Sequence, residues 1–286
     1  MSSTDANIPT PKQTPREAIY IGVFADPHYA PDRQYGDRYC RDGLRKIEHA
    51  TNTFNAFTPD IACMVCLGDL VDGEITPGDA RAAGTTAARF DGPRYLVMGN
   101  HDMDTLTKAE LLAAANFTNT ASVASFDIDW LRCIILDANY HSDGHDFAPG
   151  DNPWMECHIN VEQVAWLDDQ LADAAANDMQ AVLFCHPQLD QHQTPKGPAP
   201  NVVINHQAVR DVIDRHGNVL AAIHGHEHRG AAALIGSTAY ITLRGMCSGP
   251  WPDVNAMGVL GLHPTGDVTL EGFGQQPSVM FKGNAS

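Results

Sequence analysis

Gly99-Asn100-His101-Asp102 follows the apolar run 95–98, which reads as a buried strand, so these four residues stand where a strand gives way to a loop. A neutral amide, an imidazole and a carboxylate crowded at a strand end make poor core material. Each needs a partner or costs free energy when buried. Gly-Asn also starts ordinary turns, so the tetrapeptide acquires meaning only from partners supplied elsewhere in the chain.

Working outward, apolar runs alternate with helical patterns and turn residues, the signature of βαβ units. Strands are expected at 19–25, 61–67, 95–98, 181–185 and 219–223, with a hairpin of 122–127 and 132–136 around Asp129-Trp130. Amphipathic helices are expected at 41–57, 161–176 and 207–215, and the segments 231–243, 258–263 and 268–273 alternate like an antiparallel meander. The fold class is α/β. What stands at the strand ends is the informative part. The five parallel-type strands end in Asp26-Pro27-His28, in Gly68-Asp69-Leu70-Val71-Asp72, in Gly99-Asn100-His101-Asp102, in His186-Pro187 and in His224-Gly225-His226-Glu227-His228. Ligands of α/β sheets bind beyond the carboxyl ends of the strands, so five strand ends would deliver carboxylates, an amide and imidazoles to one edge.

Oxygen and nitrogen donors without a thiolate suit manganese, iron or zinc in five- or six-coordinate geometry. The donors are too many for one ion. Two divalent metals about 3.5–4 Å apart, sharing a carboxylate, fit the count and serve in-line displacement at phosphorus, with a bridging water acidified to the nucleophile. The Cys63-x-x-Cys66 pair is no rival site, because residues three apart on a strand point to opposite faces.

Composition agrees with a soluble metal enzyme. The 286 residues carry 18 basic and 35 acidic side chains, net charge −17, which disfavours nucleic acid and anionic membrane as partners. The first 17 residues read as a disordered tail without the apolar core of a signal peptide, no later stretch reaches membrane-span length, and a cytoplasmic location is expected. Residues 18–280 read as one domain. Assembly state stays open, a homo-oligomer included.

The ordered set D-x-H, G-D-x-x-D, G-N-H-D, a lone His and G-H-x-H resembles the calcineurin-like metallophosphoesterases over about residues 18–275. Carried over residue by residue, the resemblance implies one metal on Asp26, His28 and His228. It implies a second on Asn100, His186 and His226, with Asp69 bridging. His101 becomes the phosphate-facing group that stabilises charge or protonates the leaving oxygen, and Asp102 steers it. The implied fold is a four-layer α/β/β/α sandwich. Phe24-Ala25-Asp26-Pro27-His28-Tyr29-Ala30, Arg38-Tyr39-Cys40-Arg41 and the ending Gly272 to Ser278 are similar to the manganese-dependent ADP-ribose/CDP-alcohol diphosphatase branch. D-x-H and G-N-H-D also match class III cyclic-nucleotide phosphodiesterases. The implied activity is hydrolysis of a phosphodiester or nucleotide diphosphate. The alternatives are a phosphomonoesterase and a catalytically silent metal-binding scaffold.

The remaining polar residues have plainer readings. Asp72 reads as a helix N-cap, His224 as a satisfied core histidine, and Glu227 as facing solvent or a backbone donor. Substrate-side candidates are Tyr29, Arg38, Arg41, His141, His145, Trp154 and His158. The last four lie in the long 139–160 loop, either a lid with Trp154 or Tyr140 stacking on a base or an ordinary surface loop. Arg38 and Arg41 would hold a second phosphate or be solvated.

Overall fold

The computed structural model describes residues 16–151, 153–191, 193–194, 197–198 and 201–283. Its first sheet runs in the order β14-β13-β12-β1-β2-β3. Three parallel strands, β1 (Ile19–Phe24), β2 (Cys63–Cys66) and β3 (Arg94–Leu96), form one half. The antiparallel strands β12 (Ala256–Leu262), β13 (Val268–Gly274) and β14 (Val279–Phe281) complete it on the far side of β1. The second sheet runs β10-β11-β9-β6-β5-β4. Its parallel centre is β5 (Leu131–Leu136), β6 (Gln180–Cys185), β9 (Val219–His224) and β11 (Thr238–Arg244). β4 (Ala124–Ile128) and β10 (Arg229–Ile235) are its antiparallel edges. Two-residue strands β7 (Gln193–Thr194) and β8 (Gly197–Pro198) pair with each other.

Strand periodicity sorts the core. One apolar cluster holds Ile21, Val23, Cys63, Val65 and Val97 from the first sheet against Cys133, Ile135, Val182, Phe184, Ile223 and Ile241 from the second. Neighbouring positions Phe24, Met64, Cys66, Ile134 and Leu183 turn the other way, into the apolar cluster that helices cover. Cys63 and Cys66 thus occupy opposite faces, as their spacing requires. Helices α1 (Gly43–Asn55), α2 (Pro77–Ala87) and α3 (Lys108–Ala115) follow strands of the first sheet; α4 (Val161–Ala176) and α5 (His206–His216) belong to the second. The layers are α/β/β/α.

Two expectations change. The C-terminal segments do not form one meander. β11 closes the second sheet beside β9, and the chain then crosses so that β12 pairs with β1 in the first. Alternation reports a strand's two faces, not the strand it hydrogen-bonds to. The expected tail, residues 1–17, lies outside the described residues except at its end. There Arg16 pairs with Asp178 at 2.7 Å and the Glu17 carbonyl accepts from Trp130 Nε1 at 2.8 Å. Helix α2 escapes an apolar-period reading because its buried face is alanine and glycine (Ala80, Ala83, Gly84 and Ala87), and α3 because it is only eight residues long, with Leu111, Leu112, Ala114 and Ala115 buried. Their starts are nonetheless written as capping boxes, Thr76 with Asp79 and Thr107 with Glu110.

On α1, Lys46 lies fully buried among apolar neighbours, where burial lowers its pKa. Its Nζ donates to the carbonyls of Met246 at 2.8 Å and Gly249 at 2.6 Å, pinning the crossing segment. Met246 and Cys247 in turn donate their N–H groups to Ala25 and Asp26. Lys46→Met should therefore cost about 2–4 kcal/mol in urea unfolding, since two buried carbonyls lose charge-assisted donors. A loss below about 0.5 kcal/mol would show the segment to be held by other contacts.

Candidate metal centre

The carboxyl ends of β1, β2, β3, β6 and β9 meet at one edge. Asp26, His28, Asp69, Asn100, His186, His226 and His228 come together there from the two sheets, most of them fully buried. Asp69 Oδ2 stands 3.4 Å from His28 Nε2 and 3.2 Å from His186 Nε2. Asp26 Oδ1 stands 3.5 Å from His228 Nε2 and 3.9 Å from the Nε2 atoms of His28 and His186. Asp69 therefore lies between the two ligand groups that the motif order implied. His28, Asp69 and His101, and likewise Asp69, His186 and His226, are close enough to share an ion.

Four of these residues carry a backbone that side chains seldom adopt. φ is +56° at Asp26, +47° at His28, +49° at Asp69 and +67° at His226. Such strain persists only where surroundings over-determine it, which is common at functional sites. Hydrogen bonds supply the restraint: Asp26 N–H to Gly68 O, His28 N–H to Asp69 O and Gly225 N–H to His186 O. His226 N–H is held by both Asp26 oxygens, at 3.1 and 3.2 Å.

Each imidazole turns one nitrogen to the cluster, and in His186, His226 and His228 the other nitrogen meets a holding group. His186 aims Nε2 inward and sets Nδ1 against Leu67 O at 2.6 Å. For His226, Nδ1 faces inward and Nε2 meets Trp154 O at 3.2 Å. His228 places Nδ1 3.6 Å from Cys247 Sγ, and His28 places Nδ1 3.6 Å from Asp72 Oδ2. Tying the distal ring nitrogen to an acceptor is how proteins orient metal-ligating histidines.

The inward nitrogens approach in pairs, His28 with His228 and His226 with His186, each pair 3.2 Å apart. At that distance the two nitrogens of each pair can share one proton or one cation. Burial pushes His28 and His226 down to about 3, while neighbouring Asp26 and Asp69 outweigh burial and push His186 up to about 9. Burial opposes charge on Asp69 as well, yet His186, His101 and His28 hold its carboxyl well below the usual range. Imidazoles and carboxylates thus converge on common points, and a divalent cation suits such donors. The residues fit two metals.

Around this centre the structure redraws several assignments. Asp72 is not a helix cap, since Thr76 caps α2. Instead its buried carboxylate binds His101 Nδ1 at 3.0 Å and lies 3.8 Å from Arg38. Asp104 Oδ2 meets the same His101 nitrogen at 3.0 Å. Asp102 does not steer His101: its oxygens accept from Val71 N–H at 3.2 Å and Gly99 N–H at 2.9 Å, locking the two strand-end loops together. Burial and the charge of Asp69 push Asp102 up to about 7. Burial lowers the pKa of His101, but Asp69, Asp104 and Asp72 outweigh it and raise it to about 10. Its Nε2 stands 3.3 Å from Arg38 Nη1. Asp104 and Cys247 were not anticipated. Asp104 lies three residues past His101, one 3-10 turn on, whereas nothing local marks Cys247.

Of the substrate-side candidates, Arg38 and Trp154 reach the centre, the latter through its carbonyl. Tyr29 packs in the helix-covered core, its phenol nearer Asp79 and Asp32. Arg41 is exposed and lies over the Tyr39 ring. His141 pairs with Asp151 and the 82 % exposed His145 with Asp143. His158 is half-buried, its backbone bonded to Ala138. Their positions follow the loop's own turns, not the strand ends. His224 is a buried core residue accepting from Leu189 N–H, and Glu227 accepts from Arg229 N–H and Asn201.

Gly99 passes so close to Asp69 that a Cβ there would strike its carboxylate and its backbone nitrogen. Gly99→Ala should keep the fold, by circular dichroism, but weaken Mn²⁺ binding about tenfold or more in calorimetric titration, because it displaces the shared carboxylate. Unaltered binding would show that Asp69 is not shared.

Comparison with known proteins agrees with this geometry. The model of the calcineurin-like phosphoesterase family matches residues 19–230. A manganese-dependent ADP-ribose/CDP-alcohol diphosphatase of Oryza sativa subsp. japonica is 24% identical, over 87% of this chain and 90% of that protein. Its counterpart in Danio rerio is 25% identical over 80% and 88%. A dimetal phosphatase structure from Danio rerio superposes with a TM-score of 0.76 at 22% identity, covering 94% of this chain and all of that one. With five strand ends converging on one buried donor cluster and the family model spanning all five of them, the chain belongs to the calcineurin-like phosphoesterase family, whose members hydrolyse phosphate esters.

Proposed function

We propose that the chain is a dinuclear, manganese-dependent diphosphatase that cleaves small nucleotide diphosphate esters of the ADP-ribose or CDP-alcohol type. The observation that carries the metal assignment is the paired orientation of four imidazoles, three of them with the distal nitrogen held. Asp26, His28 and His228 would hold one ion, Asn100, His186 and His226 the other, and Asp69 both. The substrate class draws on the diphosphatases above, which match over most of their length. Manganese follows their names; iron and zinc suit the same donors. Bound cations would neutralise phosphoryl charge and lower the pKa of an attacking water.

The chain's own residues supply the rest. His101, doubly held by Asp72 and Asp104, presents a protonated ring to the leaving oxygen. Arg38 beside it adds a second positive charge for the phosphoryl group. The Trp154 carbonyl ties the 139–160 loop to the ligand His226, which supports reading that loop as the substrate-side wall. Both sheets feed one centre, which supports reading residues 18–280 as one domain. All seven cysteines are buried and unpaired in disulfides, which suits a reducing, cytoplasmic setting. No helix among the described residues is long and apolar enough to cross a membrane.

A substrate panel with Mn²⁺ tests the reading: ADP-ribose, CDP-choline, cyclic nucleotides, aryl diesters and aryl monophosphates. The diphosphates should give the highest kcat/KM; a preference for aryl monophosphates would replace this reading with a phosphomonoesterase, and no hydrolysis at all with a scaffold. Elemental analysis should find close to two metals per chain, against one or none for a mononuclear or metal-free protein. His101→Ala should retain both metals yet lose about a hundredfold or more in kcat on substrates with poor leaving groups. Full activity would remove His101 from the mechanism.

A further inference from the structure

We propose that a cavity beside His228, walled by Arg229 and Arg244, seats the phosphoryl group that is not attacked when a diphosphate ester is cleaved. The assignment rests on the diphosphatase reading above. The cavity measures about 210 Å³, room for a phosphoryl group and several waters. Its lining includes Ser248 and Gln275 as neutral polar groups and Asp37 as an opposing charge. His228 is also a wall of the metal centre, so a substrate spanning both places needs no gap between them.

The placement of the two arginines suits an anion. Arg229 and Arg244 face each other in register across the antiparallel pair β10–β11. Like charges directly opposite on neighbouring strands are destabilising. In a chain with net charge −17, two of the few cations are set side by side. Arg244 is fixed there, its Nε donating to Arg229 O at 3.2 Å and its N–H to Gln276 Oε1 at 2.8 Å. Glu227 reaches Arg229 only at Nε, 3.3 Å away, and the Arg229 side chain stays 90 % exposed. Two guanidiniums present a fork geometry that matches phosphoryl oxygens. Arg38, whose side chain meets His101, sits on backbone bridged to Ser248 of the cavity wall, so the metal cluster and the cavity would each offer a phosphoryl group a cationic partner. The second-phosphate role expected of Arg41 passes to this pair, because Arg41 faces solvent over Tyr39.

Calorimetric titration of the Mn²⁺-loaded full chain with α,β-methylene-ADP, a diphosphate analogue with a P–C–P linkage, and with AMP decides the matter. In the Arg229→Ala/Arg244→Ala variant, affinity for α,β-methylene-ADP should fall about tenfold or more, and for AMP less than about threefold. Arg244→Lys, which keeps charge but not the fork, should lose an intermediate amount. Equal losses for both ligands, or no loss for either, would overturn the subsite. If wild-type protein hydrolyses no diphosphate yet shows the arginine-dependent preference, the subsite stands and the diphosphatase reading falls.

Discussion

Two carboxylates, Asp26 and Asp69, lie at 0 % and 1 % exposure where the sheets end, and everything around them answers the cost of burying that charge. An unpaired carboxylate there would protonate or pull water inward. Instead three imidazoles, of His28, His186 and His228, approach within 3.2–3.9 Å, and two backbone N–H groups, of His101 and His226, bind the carboxylate oxygens as well. The resulting cluster is richer in donors than two protons can satisfy. Divalent ions would complete it, and this same surplus makes it a candidate catalyst.

Holding such a cluster demands rigidity that one sheet could not provide. The first sheet contributes Asp26, His28, Asp69 and Asn100; the second contributes His186, His226 and His228. Their mutual position depends on the dry interface between sheets and on the segment after β11, where Met246 and Cys247 bond to Ala25 and Asp26. Four residues with φ between +47° and +67° cost on the order of 1–3 kcal/mol each. The backbone hydrogen bonds that brace them come largely from neighbouring strand ends. Gly68 at φ +95° and the close pass of Gly99 over Asp69 let the two loops pack directly on each other.

The surroundings of His101 illustrate a limit of reading by proximity in sequence. Asp102 is its neighbour along the chain, yet a short 3-10 turn at His101–Met103 sends consecutive side chains in different directions. Asp102 faces inward to the backbone, while Asp72 from the β2 loop and Asp104 from the same turn hold the ring. The arginine pair follows the same logic: fifteen positions separate Arg229 from Arg244, and only the β10–β11 register sets them opposite.

By itself the sequence determined five of the parallel strands, three of the helices, the hairpin at Asp129-Trp130 and the donors at each strand end, because hydrophobic period and polar strand termini are local properties. Alanine-faced α2 and the eight-residue α3 fell below that signal, although their capping boxes were written at Thr76 and Thr107. Tertiary structure alone decided which sheet receives β12, that Asp72 rather than Asp102 holds His101, and which substrate-side residues reach the centre. It also decided that Lys46 and Cys247 serve the site from afar. Those outcomes depend on strand pairing and on side-chain direction in strained turns, and both arise from contacts between segments distant along the chain.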